Sequence, residues 1–166
     1  MKIKYKSGLS TIYKIKCYDS AHNLKWFDGF SNIVVMSGLN KLLDATFVSG
    51  LILPKWYIGL KNSSMGYFLS DTMSSHSGWT ESTKYSEIYR QQFIPGMIYE
   101  GSIDNSDSPA IFHINDDEVI YGAFLVSDKT KLGTIGTLYG VGDFIRPHQV
   151  VSGDILEITI YIIQEN

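Results

Sequence analysis

The sequence predicts an all-β fold with one short helix, arranged as a β-sandwich of jelly-roll-like or immunoglobulin-like type. Short apolar runs that alternate with a period of two recur along the chain, separated by Gly, Ser, Asn and Asp. Only one stretch has the spacing of three and four that is typical of an amphipathic helix. Short strands joined by tight turns are typical of sandwiches, and periodicity leaves the choice between the two topologies open.

The length of the chain favours a single domain. Its 166 residues, 44% of them hydrophobic, supply enough apolar material for one buried core. We therefore expect a basic N-terminal arm at residues 1–10 and one β-sandwich domain at residues 11–166.

The first predicted element is a β-hairpin. Residues 11–18 alternate apolar side chains with lysines, which is the pattern of a half-buried strand. Residues 19–23 have turn composition, and residues 24–27 can return as the second arm of the hairpin. The strand contains Cys17, the one cysteine of the chain, so neither an internal disulfide nor a Cys-based zinc site is expected.

The helix is predicted from apolar residues spaced by three and four over residues 33–47. Residues 48–50 end the pattern. Gly38 costs about 1 kcal/mol of helix preference, which moves the expected start towards that glycine. We place the helix near residues 36–47.

The rest of the chain reads as strands separated by turn residues. The segment 56–60 is apolar on both faces, as a central strand would be. The clearest alternation is in the last strand, where Leu156, Ile158 and Ile160 share one face. The predicted strands of this region are 56–60, 89–94, 110–114, 118–126, 146–151 and 155–163.

The charge is small in total but unevenly placed. Fourteen basic and seventeen acidic residues give a formal charge of -3, which argues against nucleic acid as the main ligand. No acid precedes Asp19, whereas residues 91–128 contain seven acids and no Lys or Arg. The lysines before Asp19 are Lys2, Lys4, Lys6, Lys14 and Lys16. Either the lysines protect an edge strand and the acids fill solvated loops, or the arm reaches an acidic surface on another subunit. The candidate partner contacts are Lys2, Ile3, Lys4, Tyr5, Lys6 and Leu9.

The densest group of chemically capable side chains lies at residues 71–81, which include Ser74 and His76. A catalytic triad is defined by geometry, and its members normally come from separate elements. No nucleophile-elbow glycine pattern surrounds the serines. We interpret this segment as a structural loop, which Trp79 anchors in the core beside Trp56.

No other pattern predicts a catalytic, metal-binding or cofactor-binding residue, so we do not expect an enzyme. The four histidines are far apart and lack metal-ligand spacing. The acidic run at 116–118 does not fit a calcium loop, and residues 131–136 lack the ending of a phosphate-binding loop. No window approaches about 18 consecutive apolar residues, so no membrane span is expected.

The aromatic content allows two kinds of contact. Aromatic residues make up 13% of the chain, and eleven of them are tyrosines. Aromatic faces stack on sugar rings, and tyrosine supplies contact area in protein interfaces at low entropic cost. Composition alone leaves glycan binding and protein binding open.

An ordered set of motifs covers roughly the last 110 residues of the chain. It consists of Trp56-Tyr57-Ile58-Gly59-Leu60, Asp71-Thr72-Met73, Ser75-His76, Gly78-Trp79-Thr80-Glu81, Tyr121-Gly122-Ala123-Phe124-Leu125 and Val150-Val151-Ser152-Gly153-Asp154. Together these motifs resemble a family of small tailed-phage and prophage proteins that are virion components. The chain departs from that pattern at His22, where a turn glycine is expected, and at Leu132 and Ile135, which are bulkier than expected.

The resemblance implies a phage virion structural protein and brings no catalytic residues with it. We expect a capsid decoration or cement protein that binds the shell as a symmetric homo-oligomer, with a trimer among the options. Its partners would be the major capsid protein or other virion proteins, without a cofactor or a membrane, and it would reside in the virion after synthesis in the host cytoplasm. The alternatives are a tail or head-to-tail connector component and a receptor- or glycan-binding module.

Overall fold

The computed structural model describes residues 8–50 and 55–165, which form two antiparallel sheets packed face to face. This arrangement confirms the predicted all-β sandwich. The elements within these residues are β1 (Gly8–Tyr18), β2 (Leu24–Ser31), β3 (Ile33–Val34), α1 (Met36–Leu43), β4 (Trp56–Ser64), β5 (Trp79–Glu81), β6 (Gln91–Phe93), β7 (Ser102–Asp104), β8 (Ala110–His113), β9 (Glu118–Val126), β10 (Leu138–Val150) and β11 (Ile155–Glu165).

Each sheet has one edge built from two short strands placed end to end. In sheet A the order is β2-β1-β11, and both β7 and β8 pair with the free side of β11. In sheet B the order is β3-β10-β9-β4, and both β5 and β6 pair with the free side of β4. Short edge strands limit the length of unpaired backbone that a sheet offers to other chains.

The main core lies between the two sheets. The predicted alternation of the first strand is confirmed, since Tyr13, Ile15 and Cys17 are fully buried. Leu156, Ile158 and Ile160 of β11 are also fully buried, on the face that the sequence predicts. Burial is the main reason that the pKa of the Cys17 thiol is raised to about 12, so the thiol stays protonated.

A second apolar layer covers the outer face of sheet B. It contains Val35, Met73, Trp79, Phe124, Val126, Leu138 and Val141. Strand β4 therefore has Ile58 and Leu60 in the main core, while Tyr57 packs against this outer layer. This confirms that residues 56–60 form an interior strand with apolar contacts on both faces.

The helix begins at Met36, where the sequence places it, although the apolar spacing of three and four starts at residue 33. Ile33 and Val34 form β3, which pairs with β10, and α1 then runs over Met36–Leu43 and continues as a π-helical turn over Asp44–Val48. Gly38 lies inside α1, and a Cβ there would lie 2.4 Å from the Tyr139 carbonyl oxygen. The glycine is needed because the helix packs directly on the backbone of β10.

Strand β10 is much longer than the predicted segment 146–151. Its first half was missed because Gly140 and Gly142 interrupt the apolar pattern. A Cβ at Gly140 would lie 2.4 Å from Asn32 Nδ2, and a Cβ at Gly142 would lie 2.8 Å from the Phe30 ring. These glycines allow close packing across the sandwich, which a local pattern does not reveal.

A buried ion pair joins strand β5 to two loops at one edge of sheet B. Arg90 donates two hydrogen bonds to Glu81, at 2.8 Å from Nε and 2.7 Å from Nη2. The guanidinium also donates to the carbonyl oxygens of Asp128 at 2.9 Å and Gly133 at 3.2 Å. Both charged side chains are almost inaccessible to solvent. The pair thus holds the loop after β9 against β5.

Replacing Arg90 with Ala should lower the free energy of unfolding by about 3–5 kcal/mol, because the buried Glu81 carboxylate loses its partner. Urea unfolding measures this loss. The matched control is Arg146→Ala at an exposed position, which should change stability by about 0.5 kcal/mol or less. The double variant Arg90→Met/Glu81→Leu should regain much of the stability. Equal small losses for both arginine variants would contradict this account.

Candidate interaction site

The group at residues 71–81 forms a structural contact around an indole ring. His76 stacks on Trp79 at 3.8 Å between ring centroids, and His76 Nδ1 lies 3.1 Å from the Trp79 carbonyl oxygen. Asp71 accepts hydrogen bonds from Trp79 Nε1 at 3.0 Å and from the Phe68 backbone at 3.1 Å. In the part of the chain that the structure describes, no hydrogen bond joins His76 to Ser74. The geometry therefore offers no Ser-His pair here.

Trp79 is buried as predicted, but its predicted position beside Trp56 is wrong. Trp79 packs against Phe124 at 4.9 Å in the outer layer of sheet B. Trp56 packs against Tyr139 at 5.6 Å, on the side that faces the main core. Trp79 pairs with Ser64 at the last position of β4, and Trp56 is the first residue of that strand. The two indoles lie at opposite ends of β4.

The other histidines lie in separate contacts. His113 Nδ1 lies 2.5 Å from Glu87, and His148 Nε2 lies 2.7 Å from Asp28. Across residues 8–50 and 55–165, no group of three or more His, Cys, Asp or Glu side chains is arranged to hold a metal ion.

Two of the residues that depart from the phage-protein motifs lie at left-handed backbone positions. His22 has a φ of 62° and Leu132 a φ of 57°, a region that non-glycine residues seldom occupy. The Leu132 backbone N–H donates to Glu81 at 2.8 Å, so the buried ion pair holds this loop conformation. Ile135 is exposed nearby in the same loop.

The lysines of β1 do not lie on an edge strand, because β1 is flanked by β2 and β11. The edge-protection interpretation is wrong for Lys14 and Lys16. Lys16 forms an ion pair with Glu157 at 3.1 Å, and Lys14 Nζ lies 4.7 Å from the centre of the Tyr161 ring. These lysines belong to the polar outer face of sheet A.

Two of the seven acids of residues 91–128 form ion pairs within the chain. Asp116 pairs with Lys84 at 2.9 Å, and Asp128 lies 3.6 Å from Arg90. These two acids therefore already have partners within the chain.

An apolar cleft of about 430 Å³ opens between the two sheets, at the end where β1 and β4 begin. The described residues that line it come from both sheets and from α1, and Lys55 is the one charged residue among them. They are Leu9, Leu42, Lys55, Trp56, Gln92, Phe93, Pro95, Ile103, Leu125, Tyr139 and Ile162. Apolar clefts of this volume are large enough to accept side chains of a partner.

A second cavity, of about 380 Å³, adjoins the cleft between α1 and the start of β1. Leu9 and Leu42 line both cavities. The Leu9 side chain lies between these two cavities and is 39% exposed. The start of β1 therefore lies between two cavities that are lined mainly by apolar side chains of the described residues.

Several exposed apolar side chains follow the lining residues of the cleft along the chain. The loop after β6 and the C-terminal end of the helical segment both follow residues that line the cleft. The exposed residues are Leu43, Phe47, Val48, Ile94, Met97, Ile98 and Tyr99. Large exposed apolar patches mark interaction surfaces in soluble proteins.

Leu9 is the one predicted partner contact that the structure describes, and it lies at this cleft. Lys2, Ile3, Lys4, Tyr5 and Lys6 lie outside the described residues. Gly8, Leu9 and Ser10, which the sequence grouped with the arm, belong to β1 and pair with β11.

The cleft itself was missed by sequence reasoning, because its walls come from strands that are distant along the chain. The run Ile94-Pro95-Gly96-Met97-Ile98-Tyr99 was the available signal, since it combines large apolar residues with a loop-forming Pro-Gly pair. An apolar loop of this kind has no core of its own and points to a contact.

Comparison with known proteins does not assign the site. No protein-family model matches the chain, and no curated protein matches its sequence. Within the described residues there is no helix long and apolar enough to cross a bilayer.

Truncating Trp79 to Ala should lower the free energy of unfolding by about 3–5 kcal/mol, because the indole is only 2% exposed and its removal leaves a cavity under the loop. Chemical denaturation measures the change. Phe27→Ala, at a side chain that is 58% exposed, is the matched control. A loss at Trp79 as small as that of the control would show that the indole does not hold the outer layer.

Proposed function

We propose that the protein is a structural component of a tailed-phage particle, a capsid decoration or cement protein that binds the outer shell as a symmetric homo-oligomer. The observation that carries the proposal is the apolar cleft at one end of the sandwich, with its exposed apolar rim. Apolar surface of this kind is stabilised when another protein covers it. The resemblance of the sequence motifs to those of phage virion proteins supports a role in a phage particle.

The N-terminal arm is the proposed occupant of the cleft. Residues 1–7 directly precede β1, whose second residue is Leu9, and their apolar members Ile3 and Tyr5 match the apolar lining. In the proposed assembly, these residues enter the cleft of a neighbouring copy or contact a shell protein. A segment that crosses between subunits holds an oligomer together without enlarging either domain.

Acidic residues near the cleft complement the lysines of the arm. Gly101 accepts a hydrogen bond from the Gln164 backbone at 2.9 Å, and Gln164 is the pairing partner of Leu9. Glu100 therefore lies close to the start of β1, and Asp104 lies in the adjoining strand β7. Exposed ion pairs contribute at most about 1 kcal/mol each, so the apolar contacts must supply most of the affinity.

The second candidate is a glycan-binding module, which the outer face of sheet A favours. A shallow cleft of about 310 Å³ there is lined by Phe27 and Tyr161 together with Lys14, Glu157 and other polar residues. Aromatic rings beside polar groups are suited to sugar rings. Glycan binding that is lost in Tyr161→Ala would favour this function over assembly.

Deleting residues 1–7 should weaken self-association and binding to purified particles by about tenfold or more, the equivalent of 1.4 kcal/mol. The deletion stops before Gly8 because β1 begins there. Leu9→Glu should have the same effect, since it places a charge in the apolar cleft. Sedimentation across a salt series measures both, and the wild-type affinity should fall as salt screens charges over about 8–10 Å.

Ile145→Glu is the control, because this side chain is 96% exposed and does not line the cleft. Unchanged association and an unchanged salt slope after the deletion would reject the arm as a contact. A protein that stays monomeric and binds no part of the particle would contradict the proposed function. Binding to tails instead of heads would favour the tail or connector alternative.

A further inference from the structure

Lys61 is a fully buried lysine on the outer face of sheet B. It pairs in register with Gly122 of the neighbouring strand β9, and Gly122 pairs on its other side with Asp143 of β10. Lys61 and Asp143 thus flank a glycine on a central strand. Because Gly122 has no side chain, the lysine reaches across it, and Lys61 Nζ donates a hydrogen bond to Asp143 Oδ1.

Aromatic rings keep water away from the lysine nitrogen. Lys61 Nζ lies 5.1 Å from the centre of the Tyr67 ring and 5.5 Å from that of Trp79. The loop that contains Tyr67 is closed by a hydrogen bond of 2.7 Å from the Met65 backbone to the Gly78 carbonyl. Burial lowers the pKa of Lys61, although the hydrogen bond that Lys61 donates to Asp143 acts in the opposite direction. A lowered pKa reduces the free energy needed to convert the ammonium into the neutral, nucleophilic amine.

Ser64 connects the lysine and the carboxylate. Its hydroxyl accepts a hydrogen bond from Lys61 Nζ at 3.3 Å and donates one to Asp143 Oδ2 at 2.5 Å. A hydroxyl that accepts from one group and donates to the other can pass a proton between them. The nearby Asp71 carboxylate is already bonded to Trp79 and to the backbone of Phe68.

We propose that Lys61 and Asp143 react to form an intramolecular amide bond, which cross-links β4 to β10. The ammonium first transfers one proton to the carboxylate through Ser64, giving a neutral amine and a carboxylic acid. The nitrogen lone pair then attacks Cγ of Asp143. A C–N bond forms, a C–O bond breaks, and the departing oxygen leaves as water with the acid proton and a second proton from the nitrogen.

This step needs no oxidant, reductant or cofactor, and the net charge of the chain is unchanged because one positive and one negative charge disappear together. Holding the two groups in contact replaces a bimolecular encounter, which corresponds to effective concentrations of about 10⁵–10⁸ M in well-oriented systems. The product also removes two charges from a site where their desolvation is costly. The Asp143 side chain is 22% exposed, which gives the released water a path to solvent.

Mass spectrometry of the purified full-length chain tests the proposal. The intact mass should be lower than the sequence mass by one water. Trypsin should fail to cleave after Lys61, and tandem spectra should show a branched peptide that joins the Lys61 segment to the Asp143 segment. A wild-type chain at its full sequence mass, with cleavage after Lys61, would overturn the proposal.

Variants identify the bond. Lys61→Met and Asp143→Ala should each have the full mass of their own sequence, whereas Asp143→Asn should form the same amide with loss of ammonia instead of water. Dehydration at Asp28-Gly29 gives the same mass loss by forming a succinimide, so a loss that persists in Asp143→Ala would also overturn the proposal.

Ser64→Ala should slow the appearance of the lighter species in freshly made protein at least severalfold. If Lys61→Met fails to fold, the wild-type and Asp143→Asn masses still decide.

Discussion

The central strands β4 and β9 are buried on both faces, and the rest of the molecule is arranged to cover them. Sheet A covers the inner face, while Ile33, Val35 and the loop at residues 65–78 cover the outer one. This constraint explains Gly59, because a Cβ there would lie 2.2 Å from the Phe124 ring that packs over it. It also explains Trp79, whose indole completes the outer layer. A strand buried on both faces requires apolar residues or glycine at nearly every position.

The same burial determines how charged groups are placed. A charge inside the outer layer is tolerated only when it is paired and hydrogen-bonded. Arg90 and Glu81 satisfy this requirement as a pair at the sheet edge. Lys61 satisfies it across Gly122, and its position under the covering loop makes it a candidate for reaction with Asp143.

One end of the sandwich is less completely covered than the faces. At the end where β1 and β4 begin, the described parts of the chain leave apolar side chains lining open cavities on both sides of Leu9. Loops at the end of a sandwich are the natural place for binding surfaces, because the sheets hold them while the sequence of each loop varies freely. The assembly proposal and the cross-link proposal thus concern separate places, the open end and the covered outer face of sheet B.

The sequence by itself determined the all-β class, the first hairpin, the burial of Trp79 and the interior character of residues 56–60, because alternation and apolar runs are local properties of the chain. It did not determine the first half of β10, where Gly140 and Gly142 allow close packing against other parts of the sandwich. Only the tertiary structure placed Trp79 away from Trp56 and brought together Lys61 and Asp143, which are 82 positions apart. The apolar cleft also exists only in the tertiary structure, because its walls come from segments that are distant along the chain. Such contacts depend on sheet register and on which strands become neighbours, and neither is encoded in the periodicity of any single segment.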